Sequence, residues 1–61
     1  MMRQQVSEMV QDGRYIELSL DGPMYVAKLF QKRYELALAF GRSETIEEAV
    51  QILYDKYRSR D

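Results

Sequence analysis

Three carboxylates, Glu44, Glu47 and Glu48, lie within one predicted helical turn and are the residues best placed for acid–base chemistry. Acidic side chains are also common at the start of a helix, where they compensate the helix dipole without any catalytic role. The chain contains no His and no Cys, so it lacks the usual bases, thiol nucleophiles and zinc ligands. We therefore expect no catalytic residue, no metal site, no cofactor and no enzymatic activity.

Three isolated glycines, Gly13, Gly22 and Gly41, divide the chain into four segments and form no glycine-rich phosphate loop. The first segment is short and rich in Gln, so we expect a flexible N-terminal arm over residues 1–13 and one domain over residues 14–61. A chain of 61 residues buries too little surface to be comfortably stable alone. Self-association is therefore expected.

The segment from Arg14 to Leu20 alternates apolar and polar side chains, which predicts a half-buried strand at about residues 14–20. Its apolar face holds Ile16, Leu18 and Leu20. Its polar face holds Tyr15, Glu17 and Ser19.

A first helix is predicted at about residues 23–40. Pro23 suits the first helical turn, where the N–H that it lacks would be unpaired. No Gly or Pro follows until Gly41, and the apolar side chains between them recur at three- and four-residue steps. Gly41 suits the left-handed position that ends a helix.

A second helix is predicted at about residues 44–59. Ser43 or Thr45 is expected to cap it. Thr45 and Glu48 also match the T-x-x-E capping box, in which the two residues satisfy free N–H groups at a helix start. Apolar residues then step by three and four, and basic residues such as Lys56 and Arg58 lie near the end, where the helix dipole favours them.

A single strand cannot satisfy its backbone groups alone, and this pattern offers no second strand in the chain. We therefore expect a mostly α fold with one strand, in which two copies pair their strands antiparallel as an intermolecular two-stranded ribbon above four helices. The predicted core of this intertwined homodimer consists of Ile16, Leu18, Leu20, Phe30, Ile46, Val50 and Leu53.

Two segments resemble the ribbon-helix-helix family of small dimeric transcription regulators, the group that includes MetJ- and Arc-like proteins. "YIELSLDGP", residues 15–23, is similar to that family's strand and the turn that follows it. "GRSETIEEAVQIL", residues 41–53, is similar to its turn between helices and the opening of its second helix. The resemblance implies a β-α-α homodimer that inserts its strand pair into the major groove of double-stranded DNA.

The resemblance also implies roles for individual residues. The side chains implied to face DNA bases are Tyr15, Glu17 and Ser19. Those implied to contact phosphates are Arg42, Ser43 and Glu44. From their charge we also expect Arg14, Lys28 and Arg3 to contact phosphates. The predicted function is that of a homodimeric, sequence-specific DNA-binding transcriptional regulator acting as a repressor.

The formal net charge of -1 supports an alternative, because it gives no general attraction to nucleic acid. In this alternative the dimer is a protein-binding module, an adaptor or inhibitor of a protein partner, that does not bind DNA. A third interpretation is a monomeric helical hairpin whose edge strand extends the sheet of a partner. No run approaches the roughly 20 apolar residues of a membrane span, and the first residues lack a secretory pattern. We expect a cytoplasmic protein with no membrane contact.

Overall fold

A computed structural model describes residues 2–32 and 36–59. The elements in chain order are α1 (Met2–Met9), a short 3-10 turn (Gln11–Gly13), β1 (Tyr15–Asp21), β2 (Met24–Phe30), β3 (Ala39–Ser43) and α2 (Ile46–Ser59). The three strands form one antiparallel sheet in the order β1-β2-β3. The predicted mostly α fold with one strand is therefore wrong, and so is the ribbon-helix-helix architecture, because β1 finds its neighbour within its own chain.

The helix predicted at residues 23–40 is replaced by two strands, with residues 33–35 of that prediction outside the described residues. The central strand β2 has neighbours on both sides and apolar side chains on both faces, including Val26 and Leu29. A strand of this kind shows no clean alternation, and its apolar run cannot be distinguished from a buried helix by periodicity. This is the reason why the helical interpretation failed.

The turn between β1 and β2 consists of Gly22 and Pro23, with Asp21 paired to Met24 on either side. Gly22 has a φ of 62°, and the proline ring holds the φ of Pro23 at about −65°. A positive φ at the first turn residue and a negative φ at the second define a type II′ turn, which suits the twist of a hairpin. Pro23 thus closes a hairpin instead of starting a helix.

The core lies between the sheet and α2, which packs across β2 and β3. The fully or almost fully buried apolar residues are Met9, Ala27, Leu29, Ala49, Val50 and Leu53. Gly41 lies in β3 directly beneath α2, and it does not have the left-handed conformation predicted for it. A Cβ on Gly41 would lie 2.7 Å from the Leu53 backbone nitrogen and even closer to the Ala49 carbonyl oxygen. The absence of a side chain therefore lets α2 approach β3.

The segment predicted as a flexible arm instead contains α1, which packs beside α2. Met9 is fully buried in the core, and Val6 packs against the core from the same helix. The side chains of Tyr54 and Glu8 join the two helices by a hydrogen bond from the Tyr54 hydroxyl to the Glu8 carboxylate. The isolated segment is too short for a stable helix, so its order comes from these tertiary contacts.

The predicted second helix is observed as α2, and of the two predicted caps, Ser43 and Thr45, it is Thr45 that caps it. The Glu48 backbone N–H donates to the Thr45 hydroxyl oxygen at 3.1 Å, which satisfies one of the free donors at the helix start. The Glu48 carboxylate accepts a hydrogen bond of 2.7 Å from the Ser43 hydroxyl. Neither of the described helices is long and apolar enough to cross a membrane.

Candidate protein-interaction edge

The two faces of β1 are those that the alternation of its side chains predicts. Ile16, Leu18 and Leu20 lie on the side of the sheet that carries the helices, in register with Leu29, Ala27 and Tyr25 of β2. Tyr15, Glu17 and Ser19 lie on the opposite side, which we call the open face. The three residues predicted to read DNA bases therefore share one surface.

The charges of the open face pair across the sheet. Glu17 is directly opposite Lys28 in the register, and opposite charges in that position stabilise a sheet. Arg42 on β3 forms an ion pair with Asp21 on β1, with 3.4 Å between Nε and Oδ2. These four residues sum to no net charge, so Lys28 and Arg42 are each already opposed by a carboxylate.

The residues predicted to hold a phosphate at the start of the second helix do not converge. Arg42 lies on the open face, whereas Ser43 is the next residue of the strand, points to the helix side and donates to Glu48. Thr45 already caps the helix, and Glu44, with the two glutamates of the first turn, adds negative charge there. That charge compensates the helix dipole that would otherwise attract an anion.

The remaining predicted phosphate ligands are spread over the molecule. The Arg14 guanidinium donates to the Tyr57 hydroxyl at 3.2 Å and lies 5.0 Å from the centre of that ring. Arg3 lies on the exposed surface of α1, and Lys28 lies on the central strand. These cations do not form a single basic surface.

β1, the strand that was predicted to enter the major groove, is paired with β2, and β3 lies on the far side of β2. A groove of about 12 Å accepts a two-stranded ribbon. Pairing two copies of β1 would leave β2 on each outer side, and four strands at a spacing of roughly 4.8 Å are wider than that groove. The insertion mechanism thus lacks its two-stranded ribbon, and DNA binding itself stays a prediction.

The residues predicted as a dimer core differ in their burial and in the face of the sheet on which they lie. Val50 and Leu53 are buried within the single chain, and Ile16 and Ile46 are half-buried against the same core. Phe30 belongs to the open face, where its ring stacks on Tyr15 with 4.9 Å between centroids. Leu18 and Leu20 remain exposed to solvent, at 56% and 68% of their full accessibility.

These two leucines are exposed because neither helix reaches them. α2 packs on β2 and β3 and α1 contacts β1, of which Tyr15 and Ile16 are half-buried and the residues from Glu17 onward are exposed. Both side chains point to the helix side of the sheet, next to Ala27 and Tyr25. The outcome is an apolar strip, Leu18 and Leu20, along the outer margin of the core.

β1 is an edge strand, and hydrogen bonding determines which of its residues face outward. The type II′ turn makes Asp21 and Met24 a hydrogen-bonded pair. Bonded pairs alternate along an antiparallel ladder, so Ser19, Glu17 and Tyr15 also bond to β2. The backbone N–H and C=O groups of the alternate residues Ile16, Leu18 and Leu20 therefore point away from β2.

A hydrogen bond at the other end of the sheet agrees with this assignment. The Leu38 N–H donates to the Leu29 carbonyl at 2.7 Å, so the backbone of Leu29 faces the β3 side. Ile16, its partner in the register, consequently receives no bond from Leu29 and faces outward. The helix-side leucines thus belong to the same residues of β1 as the backbone groups that, within residues 2–32 and 36–59, pair with no other strand.

The open face also holds apolar side chains that the helical interpretation could not place together. Phe30 and Phe40 flank a hollow over β2 that Leu36 also lines. Phe40 is 51% exposed, and the Lys56 ammonium lies 4.7 Å from its ring centre. Only the strand assignment of β2 and β3 would have revealed this grouping. Within residues 2–32 and 36–59, no group of three or more acidic side chains could hold a metal ion.

Comparisons with known proteins assign no relative to this chain. No protein-family model matches it, and neither a curated protein nor a solved structure matches it.

Proposed function

We propose that this protein is a protein-binding module that takes up a partner by adding a strand to the free edge of β1. One observation carries this proposal. The residues of β1 that direct their backbone groups outward are Ile16, Leu18 and Leu20, and two of these, Leu18 and Leu20, also expose their side chains to solvent. In strand addition, backbone hydrogen bonds supply affinity and side-chain contacts supply specificity. β1 offers both along its seven residues.

The composition of β1 supports this use of the edge. Edge strands are normally protected by charged side chains, above all Lys, by Pro, by a bulge or by being very short. The sequence of β1, "YIELSLD", contains neither Pro nor Lys, and its pairing with β2 is continuous over Tyr15–Asp21. Its two carboxylates lie on the open face opposite cations of the same chain. The other outer strand, β3, has five residues and carries Arg42. β1 is therefore the better template for a further strand.

The charge balance favours a protein partner over nucleic acid. The chain has a formal net charge of -1, and the open-face cations Lys28 and Arg42 are opposed by Glu17 and Asp21. Affinity for DNA depends on neutralising phosphates with Lys and Arg, and it weakens steeply with salt. The edge of β1, in contrast, needs no charge to bind an extended peptide.

The test is co-purification of interacting proteins from the source cells with the wild-type chain and with Leu18→Pro. Proline removes the N–H of residue 18, which points outward, so the bonds between β1 and β2 are kept. We expect the variant to fold, as judged by circular dichroism, and to lose the partners that the wild type retains. Ser19→Pro is the contrasting variant, because it removes an N–H that bonds to β2 and should unfold the hairpin.

Leu18→Lys and Leu36→Lys form a matched pair of charge variants. Both replace an exposed leucine, but Leu36 lies off β1 and is 92% exposed. We expect only Leu18→Lys to reduce capture, since a lysine on an edge strand opposes the approach of another strand. Retention of the same partners by the wild type, Leu18→Pro and Leu18→Lys would contradict the proposal.

Fluorescence anisotropy with duplex DNA tests the remaining prediction. We expect no saturable binding at low salt, to random duplex or to duplex from upstream of the protein's own gene. Saturable binding that weakens with salt would favour a DNA-binding regulator instead. In that case Glu17→Lys should strengthen non-specific binding if the open face lies on DNA.

A further inference from the structure

We infer that the strand that pairs with β1 is β1 of a second copy, antiparallel, with the two Leu18 residues facing each other across a twofold axis. This inference rests on the proposed function, because it names the partner of the same edge. The geometry points to this partner through three independent properties of β1: its free backbone groups, its charges and its apolar strip.

The free backbone groups limit how two copies can pair. Only Ile16, Leu18 and Leu20 direct N–H and C=O groups outward, so they must pair with one another. A twofold axis perpendicular to the sheet satisfies this condition when it passes through a residue of β1. It also keeps the helix sides of both copies on the same side of the joined sheet. The axis can then pass through Leu18, or through one of the neighbouring residues Glu17 and Ser19.

The charges select among these three registers. An axis through Glu17 places the two Glu17 carboxylates opposite each other. An axis through Ser19 places Glu17 opposite Asp21 of the second copy, twice. Like charges directly opposite each other destabilise a sheet. An axis through Leu18 places Glu17 opposite Ser19 and Tyr15 opposite Asp21, so no like charges meet.

The register with the axis through Leu18 also pairs the largest number of β1 residues. All residues of β1 from Tyr15 to Asp21 find a partner, and Ile16 lies opposite Leu20 of the second copy on the helix side. The backbone groups of the Ile16–Leu20 and Leu18–Leu18 pairs exchange hydrogen bonds in both directions.

The apolar strip becomes covered at the same time. Leu18 and Leu20, now 56% and 68% exposed, would line a continuous row with the Ile16, Leu18 and Leu20 side chains of the second copy. Because Ile16 packs against the core that contains Met9 of α1, each end of the row would adjoin the core of one copy. Removing this apolar surface from water is the driving force for pairing.

Disulfide cross-linking tests the register, because the chain has no cysteine of its own. Directly opposite residues of an antiparallel pair have Cα atoms about 4.5–5.5 Å apart, within the range that a disulfide spans. We expect Leu18→Cys to form covalent dimers under mild oxidation. We also expect a mixture of Glu17→Cys and Ser19→Cys chains to cross-link, while neither does so alone. Efficient cross-linking of Glu17→Cys alone or of Ser19→Cys alone would overturn the register.

Sedimentation equilibrium tests pairing without any cross-link. The wild type should be a dimer at high concentration, and Leu18→Pro should be a folded monomer. Leu18→Lys, which keeps the backbone N–H, should also dissociate and provides a second variant if the proline disturbs the strand. Dimers that persist in both folded variants would overturn pairing through β1.

The outcomes for this inference and for the proposed function are distinguishable. A wild-type chain that stays monomeric at the highest concentration reached, with no cross-link from Leu18→Cys, overturns self-pairing. Capture of another protein that is lost in Leu18→Pro would still support strand addition in that case. A wild-type dimer that dissociates in Leu18→Pro supports both.

Discussion

Gly41 is the residue on which the contact between α2 and β3 depends. The helix lies so close to the strand that a side chain at this position would meet backbone atoms of Ala49 and Leu53. Backbone atoms of a helix cannot move aside as a flexible side chain can. The core residues of α2, including Val50, are therefore held at a distance from the sheet that only glycine permits.

Gly41→Ala should lower the free energy of unfolding by at least about 2 kcal/mol, because the added methyl group forces α2 away from the sheet. Urea denaturation followed by circular dichroism measures this loss. Gly22→Ala is the control, since a Cβ there meets nothing within 4 Å and the cost is only the strain of φ 62, about 1–2 kcal/mol. A loss at Gly41 no larger than that at Gly22 would contradict the close approach.

Thr45 caps α2 through its hydroxyl oxygen, so Thr45→Ala should lower the free energy of unfolding by about 1 kcal/mol. Thr45→Ser retains the acceptor and should be close to the wild type in the same urea titration. If alanine and serine were equally well tolerated, the hydrogen bond from the Glu48 N–H would have no measurable role in stability.

At the scale of elements, α1 and the β1–β2 hairpin determine what remains exposed. α1 completes the core with Met9 and contacts β1. The type II′ turn determines which residues of β1 direct their backbone groups away from β2. A longer α1 or a further strand would have covered Leu18 and Leu20. The exposure of the β1 edge is thus a consequence of how far these elements extend.

Met9→Ala should lower the free energy of unfolding by about 2–4 kcal/mol, because it leaves a cavity among fully buried side chains. Met2→Ala is the matched control on the same helix, since Met2 is 39% exposed and should lose well under 1 kcal/mol. Thermal unfolding followed by the circular-dichroism signal of the helices compares the stability of the two variants. Similar values for both variants would mean that residues 2–9 act as a flexible arm.

At the scale of the whole molecule, a chain of 61 residues gains from any surface that a second copy removes from water. A dimer paired through β1 would carry a formal charge of twice -1, which opposes non-specific binding to DNA. Self-pairing would therefore link stability and partner choice at the same edge.

If β1 pairs with a second copy, the melting temperature should depend on protein concentration, because dilution favours dissociation. A tenfold increase in concentration should raise it by roughly 5 °C for a dimer of this size. Differential scanning fluorimetry over a dilution series measures the shift. Leu18→Pro should melt at a temperature that does not change with concentration, and a constant value for the wild type would argue against dimerisation.

Local patterns in the sequence were sufficient to predict β1 and α2. The alternation from Tyr15 places the residues on the faces of β1, and the Thr45–Glu48 spacing marks the start of α2. Both signals come from residues close in sequence, because a pleat and a helix cap are local structures. Chain length, charge and the absence of His and Cys also need no structure.

The pairing of β1 with β2, and the edge that it leaves free, were decided only by the tertiary structure. β2 is apolar on both faces because it is central, and Gly41 is glycine because a helix lies above it, not because a helix ends there. Both facts depend on residues distant in sequence. A local pattern cannot contain them, because apolar spacing records that a side chain is buried but not which element buries it.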